Sequence, residues 1–130
     1  TGMNETPLRK ILYVEDEPDI QTIARIALEE VGDFELQLCS TGAEALEAAP
    51  AFEPDLLILD VMLPGMDGPT TLARLREQPA LADTPALFMT AKAQPRELEQ
   101  LRAQGAAEVI TKPFDPMTLA ETIRQIWHKI

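Results

Sequence analysis

The stretch LLILD at residues 56–60 is a run of four large aliphatic residues that ends in a carboxylate. An apolar run of this length without polar alternation is typical of a central parallel strand that is buried on both faces. Three other apolar runs are likewise followed at once by polar residues: KILYV at residues 10–14, ALFM at 86–89 and VI at 109–110. The pattern predicts parallel strands with polar residues at their carboxyl ends.

Helical patterns separate these strands, and an alternating run at residues 35–39 adds a fifth strand. Pro18 suits the first turn of the first helix and Gly32 its end, while Ser40 or Thr41 suits the cap of the second. The predicted helices cover residues 18–31, 43–49, a segment around 72–75 that ends before 79, 95–104, and 115–130. This alternation predicts an α/β, doubly wound fold in which a parallel sheet has helices on both faces. Ligands of such sheets bind at the carboxyl ends of the strands.

The chain has 130 residues, of which 45% are hydrophobic, and this fits one domain with a single core. The first residues, TG before the methionine of TGM at 1–3, resemble the remnant of an expression tag. We therefore predict a tag remnant and N-terminal tail at residues 1–7 and the domain at 8–130. The single cysteine, Cys39, excludes an internal disulfide. No apolar run approaches the ~20 residues of a membrane span, and no signal peptide is visible. We therefore expect a cytoplasmic protein.

The charge of the chain is strongly acidic. There are 22 Asp and Glu residues against 11 Lys and Arg residues, which gives a net charge of -11. Nucleic-acid binding needs a basic stripe that neutralises phosphates, and binding to an anionic membrane needs basic residues too. We expect no direct nucleic-acid binding by this domain and no membrane association.

Glu15, Asp16 and Asp60 follow two of the predicted strands and are expected to share one cleft. Two like charges ~4 Å apart repel by about 4 kcal/mol at an effective dielectric of about 20. Three carboxylates are therefore unfavourable together unless a cation joins them, and hard oxygen ligands suit Mg2+. We assign Asp16 and Asp60 as direct ligands, Glu15 as a ligand through water, and the backbone carbonyl of Met62 as a further donor. The alternative is that the acidic residues after the first strand form a solvated helix cap.

Asp60 is the predicted nucleophile, because a carboxylate that attacks phosphorus forms an acyl phosphate. Phosphoryl transfer needs positioning and charge neutralisation more than proton movement. Lys112 can supply positive charge beside Mg2+, and Thr90 can donate a hydrogen bond to a phosphoryl oxygen. The bond between Lys112 and Pro113 is a candidate cis peptide. The alternatives are a surface role for Lys112 and a helix-capping role for Thr90.

These residues, in this order, resemble the receiver domain of bacterial two-component response regulators of the chemotaxis-regulator type. The likeness extends from about residue 9 to residue 129. The stretches that carry it are ED at residues 15–16, Asp60, VMLPGMDG at 61–68, Thr90, GA at 105–106 and KPF at 112–114.

The resemblance implies a flavodoxin-like fold with the strand order 2-1-3-4-5 and a phosphoryl acceptor that depends on Mg2+. It implies that the donor is a phosphohistidine on a sensor histidine kinase or a histidine phosphotransfer protein. It also implies a signalling module that catalyses only its own phosphorylation and dephosphorylation. The partner after phosphorylation is a downstream protein target or an output domain, and the domain is a monomer or a phosphorylation-dependent dimer.

Three positions set this chain apart within that resemblance. Val109 stands three residues before Lys112, where the family often has an aromatic residue that swings inward on activation. Met62 and Lys92 occupy positions that resemble the family's tuning sites for phosphoryl lifetime. The fourth helix has few apolar anchors, so we predict a partner surface formed by this helix, the fifth strand and the fifth helix. We lean towards a standalone domain over a fragment of a longer regulator.

Two other functions compete with this interpretation. A hydrolase of the haloacid dehalogenase type also forms an aspartyl phosphate, but it needs a second Asp two residues after the nucleophile, where this chain has Met62. A flavodoxin-like electron carrier needs a loop rich in Ser, Thr or Gly after the first strand. The loop here, EDEPD at residues 15–19, would repel a phosphate.

Overall fold

The computed structural model describes residues 6–92 and 94–130. Its five strands form one sheet in the order β2-β1-β3-β4-β5, and each neighbouring pair is parallel. The strands are β1 Lys10–Val14, β2 Glu35–Cys39, β3 Leu56–Asp60, β4 Ala86–Thr90 and β5 Glu108–Thr111. The predicted α/β, doubly wound, flavodoxin-like fold with strand order 2-1-3-4-5 is therefore confirmed.

Helices cover both faces of the sheet and divide the core into two clusters. One cluster lies under α1 and α5 and the other under α2, α3 and α4. The helices are α1 Pro18–Arg25, a π-helical continuation Ile26–Val31, α2 Gly42–Phe52, α3 Gly68–Leu75, a 3-10 turn Pro79–Leu81, α4 Pro95–Ala103 and α5 Leu119–Lys129. The central strands β3 and β4 are buried along their whole length, as the apolar run at 56–59 predicted.

The first helix departs from the predicted regular helix. Its last turns are π-helical, and Ile23 and Val31 are each 40% exposed although both carry apolar side chains at helical spacing. Ile23 lies beside the buried Ala24 on a helix of 3.6 residues per turn, so it points about 100° away from the core. A π turn holds more residues than an α turn, so Val31 is rotated off the buried stripe.

The second helix is longer than predicted because it passes through Pro50. We predicted an end at residue 49, but the helix reaches Phe52 and ends at Glu53 in a left-handed conformation with φ 54°. Thr41 caps its start by accepting a hydrogen bond from the Glu44 amide at 3.1 Å. Proline has no N–H, so the Leu46 carbonyl lacks its usual helical donor. The side-chain amide of Gln78 donates to that carbonyl instead, at 3.3 Å.

The last helix starts later than its sequence signal indicates. The stretch 115–118 forms a turn, and α5 begins at Leu119. Asp115 organises this turn, because its side chain accepts from the Met117 amide at 2.8 Å and its carbonyl accepts from the Leu119 amide at 3.0 Å. Of the predicted tail at residues 1–7, residues 1–5 lie outside the described residues. Thr6 accepts a hydrogen bond from Trp127 Nε1 at 2.6 Å.

Candidate functional site

Three carboxylates meet at the carboxyl edge of the sheet. Val14 and Leu59 are paired across β1 and β3, so the next residues along each strand, Glu15 and Asp60, are neighbours. Glu15, Asp16 and Asp60 each place one oxygen within 4.8 Å of the others. Glu15 and Asp60 are buried, and Asp16 is partly exposed. Converging carboxylate oxygens at this spacing fit a hard divalent cation.

Glu15 is the most deeply buried of the three, with no exposed surface. Its backbone amide donates to the Cys39 carbonyl at 2.9 Å, and its Oε2 accepts from the Glu17 amide at 3.1 Å. Burial raises the pKa of Glu15 above its ordinary value and the charge of Asp60 adds to this rise, while the hydrogen bonds from Glu17 and Lys112 oppose it. The charged form of this residue is therefore held at a cost, which a cation would offset.

Lys112 brings a cation into the carboxylate cluster. Its Nζ lies 2.9 Å from Asp60 Oδ2 and 3.3 Å from Glu15 Oε1, and its side chain is 14% exposed. Burial alone would lower the pKa of Lys112, but the hydrogen bonds and charges of Asp60 and Glu15 outweigh burial and raise it. The Lys112–Pro113 peptide bond is cis. The Lys112 side chain is thus part of the cleft, and the alternative of a surface lysine is wrong.

Thr90 ends β4 on the same edge. It pairs with Thr111 across β4 and β5, and the Lys112 amide donates to the Thr90 carbonyl at 2.8 Å. The Thr90 hydroxyl is buried and accepts from the Lys92 amide at 3.1 Å. Helix α4 begins after Gln94, which has no side-chain capping bond. The alternative in which Thr90 caps the following helix is therefore wrong.

The loop after Asp60 packs closely against the end of β3. A Cβ atom at Gly68 would collide with the backbone oxygen of Asp60 and come within 3.0 Å of Val61 Cα, so this contact requires glycine. The Gly68 amide donates to the Val61 carbonyl at 3.0 Å, and Asp67 caps α3 by accepting from the Thr70 amide at 2.8 Å. These bonds hold the loop against the end of β3, next to Asp60.

The residues proposed to tune the site lie on its open side. Met62 is 69% exposed, and Lys92 is exposed as well. Both line a cavity of about 580 Å³ together with Thr90, Leu101 of α4, and Gln104, which follows α4. The role of the Met62 carbonyl as a ligand stays a prediction. Val109, which stands where the family often has an aromatic residue, is partly buried against the core under α2, α3 and α4.

Sequence reasoning missed one residue near the site. Tyr13 is fully buried, and its hydroxyl has no hydrogen-bond partner among the described residues. Burial, followed by the charges of Glu15 and Asp60, raises the pKa of Tyr13 far above its ordinary value, so the hydroxyl stays protonated. The available signal was the spacing: Tyr13 lies two residues before Glu15 on the same strand, so both side chains point to one face.

Comparison with known proteins agrees with this geometry. The family model described as "Response regulator receiver domain" matches residues 11–124. The chain is 36% identical over 117 residues to the DNA-binding dual master transcriptional regulator RpaA of Synechocystis sp., which covers 90% of this chain and 48% of that protein. It is 37% identical over 118 residues to the alkaline phosphatase synthesis transcriptional regulatory protein PhoP of Bacillus subtilis, over 91% of this chain and 48% of that protein. The chain thus spans about half the length of the curated relatives it first matches.

A solved structure gives the same result. The chemotaxis response regulator CheY4 of Vibrio cholerae superimposes with a TM-score of 0.84 at 31% identity, over 92% of this chain and 99% of that one. Within the described residues, no helix has both the length and the apolar character of a membrane span. The family match covers most of the chain and includes every residue of the cleft. This chain belongs to the response regulator receiver domain family of two-component systems.

Proposed function

We propose that Asp60 accepts a phosphoryl group from a phosphohistidine on a sensor histidine kinase or a histidine phosphotransfer protein. In that transfer the bond from the histidine nitrogen to phosphorus breaks, and a bond from phosphorus to a carboxylate oxygen of Asp60 forms. The observation that carries this proposal is the Lys112 ammonium 2.9 Å from Asp60 Oδ2, beside two further carboxylates within 4.8 Å. This arrangement neutralises charge on one face of Asp60 and can hold a cation on the other.

The residues of the cleft have distinct parts in this reaction. Glu15, Asp16 and Asp60, with the Met62 carbonyl, would hold Mg2+, which neutralises charge on the transferring phosphoryl group when it is bound. Lys112 pairs with the negative oxygens that arrive on Asp60. The Thr90 hydroxyl, which now accepts from Lys92, can also donate to a phosphoryl oxygen. The domain thus promotes only its own phosphorylation and dephosphorylation, and it has no second carboxylate at position 62 of the kind that a hydrolase of the dehalogenase type requires.

The phosphoryl group is proposed to change binding at the surface formed by α4, β5 and α5. Helix α4 buries one residue, Leu101, whereas α5 buries Leu119, Ala120, Ile123 and Trp127. An ion pair between Arg102 and Glu108 joins α4 to β5 at 2.6 Å, but both side chains are more than one third exposed. Exposed ion pairs contribute little, so α4 is weakly held and can move. A downstream protein target or an output domain is the proposed partner.

The test is phosphorylation by acetyl phosphate with Mg2+, followed by intact-mass measurement. We expect one added phosphoryl group on the unaltered chain and none on Asp60→Asn. Lys112→Ala should reduce the rate of phosphorylation by about 100-fold, because a positioned cation that meets developing charge is worth a few kcal/mol. Lys129→Ala, an exposed lysine on α5, serves as the matched control and should leave the rate unchanged. Full labelling of Asp60→Asn at the unaltered rate would refute the proposal.

A further inference from the structure

Tyr13 carries a buried hydroxyl that donates to no acceptor among residues 6–92 and 94–130. The side chain has no exposed surface and lies in the core cluster under α1 and α5. A buried polar group without a partner destabilises the state that contains it, whereas phenylalanine would fill the same space without that cost. The packing in this structure therefore does not explain why this position holds tyrosine instead of phenylalanine.

Tyr13 lies one layer below the cleft along the sheet. Tyr13 is paired with Ile58 across β1 and β3, and each is two residues before a carboxylate of the site. Because side chains two residues apart on a strand share a face, Glu15 and Asp60 form the next layer above Tyr13. After burial, the charges of both carboxylates contribute to the raised pKa of Tyr13.

Each carboxylate oxygen of Glu15 accepts one hydrogen bond, and one of the two donors is shared with Asp60. Its Oε2 accepts from the Glu17 amide, and its Oε1 accepts from Lys112 Nζ at 3.3 Å. The same Nζ lies 2.9 Å from Asp60 Oδ2. A phosphoryl group on Asp60 adds negative oxygens that compete for this one ammonium. As the ammonium moves towards them, Glu15 Oε1 loses its donor at a fully buried position.

We propose that Tyr13 is a positioning residue of the phosphorylated state, in which its hydroxyl donates to the Glu15 carboxylate after Lys112 turns to the phosphoryl group. The inference rests on the proposed role of Asp60. Among the described residues the hydroxyl has no partner in this structure, and in the phosphorylated state it replaces a lost donor. Tyr13 therefore favours the phosphorylated state over the resting state, without contact with the phosphoryl group.

The first test uses the fact that Tyr13 is the single tyrosine of the chain. Protein labelled with 13C at the tyrosine Cζ should show one resonance, which reports on the hydrogen bonding of the hydroxyl. Beryllofluoride with Mg2+ is the probe for the phosphoryl group. We expect the resonance to shift when the probe is added to the unaltered chain and to stay in place in Asp60→Asn. A resonance that does not move while the amide spectrum of the site changes would overturn the proposal.

The second test compares melting temperatures with and without the same probe. Without the probe, Tyr13→Phe should melt at the same or a higher temperature than the unaltered chain. The probe should raise its melting temperature by less. Tyr13→Phe should also bind beryllofluoride about tenfold more weakly, as expected for one lost hydrogen bond to a charged acceptor. Thr71→Val is the matched control, because the Thr71 hydroxyl is equally buried but already donates to the Asp67 carbonyl at 2.8 Å. This variant should lose stability equally in both conditions.

Two outcomes separate this inference from the proposed function. If the unaltered chain gains stability from the probe and Tyr13→Phe gains as much, the role of Tyr13 is wrong and that of Asp60 stands. A loss of resting stability in Tyr13→Phe like that of Thr71→Val would show that the hydroxyl is already paired and would also overturn the proposal. If the unaltered chain does not respond to beryllofluoride and Mg2+ at all, both proposals fall.

Discussion

Glu15 has the least favourable surroundings of the ionisable residues in the cleft. It is fully buried, it lies next to Asp60, and it shares the ammonium of Lys112 with that residue. Three carboxylates and one ammonium leave the metal-free cleft with an excess of negative charge. Burial raises the pKa of Glu15, and the charge of Asp60 adds to the rise. A bound divalent cation would offset the excess charge, which would connect the stability of the fold to ligand binding.

We predict that Glu15→Gln stabilises the metal-free protein at neutral pH by about 1 kcal/mol, which lies within the ordinary range of single substitutions. Glutamine has nearly the same shape and removes a buried charge. Urea denaturation in the presence of a chelator measures the difference. Glu47→Gln, on the exposed face of α2, is the control and should change stability by less than about 0.5 kcal/mol. A loss of stability in Glu15→Gln would mean that the ion pair with Lys112 outweighs burial.

Cys39 provides a second residue whose protonation is linked to folding. Its side chain is 2% exposed, and burial with the charge of Glu44 raises the pKa of the thiol from 9.0 to about 11. Because folding raises the pKa of the Cys39 thiol, the protonated thiol is favoured in the folded state. Its contribution to stability is complete below pH 9 and is lost as the pH rises through about 11.

Relative to Cys39→Ala, the unaltered chain should therefore lose on the order of 2 kcal/mol of unfolding free energy across that alkaline interval. Denaturation curves at several alkaline pH values measure this difference between the two chains. The cavity left by alanine lowers stability at every pH, so only the change with pH is informative. A constant difference between the two chains from neutral to alkaline pH would contradict the prediction.

Helix α2 shows how a tertiary contact changes the length of an element. Pro50 removes the donor for the Leu46 carbonyl, and such a residue normally ends or kinks a helix. Here Gln78, which follows α3, supplies the missing donor at 3.3 Å. The contact also joins the middle of α2 to the segment that follows α3, and both helices pack on the same face of the sheet. The extension of α2 to Phe52 thus depends on its own backbone and on Gln78, which lies 32 positions after Leu46 in the chain.

We predict an energetic coupling between Pro50 and Gln78. Gln78→Ala should destabilise the unaltered chain by about 1 kcal/mol, because it leaves a carbonyl unpaired. In Pro50→Ala the backbone N–H at position 50 can donate to Leu46, so Gln78→Ala should cost less there. A double-mutant cycle in urea measures the coupling. Glu77→Ala, at an exposed neighbouring position, should cost the same in both backgrounds. Equal costs for Gln78→Ala would show that the amide does not compensate for Pro50.

The whole domain is strongly acidic, and three of its carboxylates meet in the cleft. A net charge of -11 and one partly neutralised cleft favour partners and ions with positive charge. The same charge disfavours phosphate backbones, and the expectation of no direct nucleic-acid binding stays a prediction. When a phosphoryl group is transferred, Lys112 and a bound metal ion must therefore offset both the charge of the three carboxylates and the overall charge of the domain.

Mg2+ should raise the melting temperature of the domain by binding the folded state alone. At ten times its dissociation constant the gain is about 1.4 kcal/mol of unfolding free energy. Differential scanning fluorimetry over a millimolar range of Mg2+, with a chelator as the reference, measures the rise. Asp16→Asn should reduce the gain, because it removes a proposed direct ligand, and Asp19→Asn, an exposed carboxylate nearby, should not. An identical response of all three chains would place the ion elsewhere.

The amino-acid sequence by itself determined the strands, their parallel arrangement and the residues of the cleft. Apolar runs without alternation are typical of strands that are buried on both faces of a parallel sheet, and a polar residue directly after such a strand lies at the sheet edge. The tertiary structure alone decided the π turn that exposes Val31, the passage of α2 through Pro50, the sharing of Lys112 between Asp60 and Glu15, and the lack, within the described residues, of a partner for the Tyr13 hydroxyl. The passage through Pro50 and the sharing of Lys112 depend on contacts between residues far apart along the chain, which local periodicity does not contain.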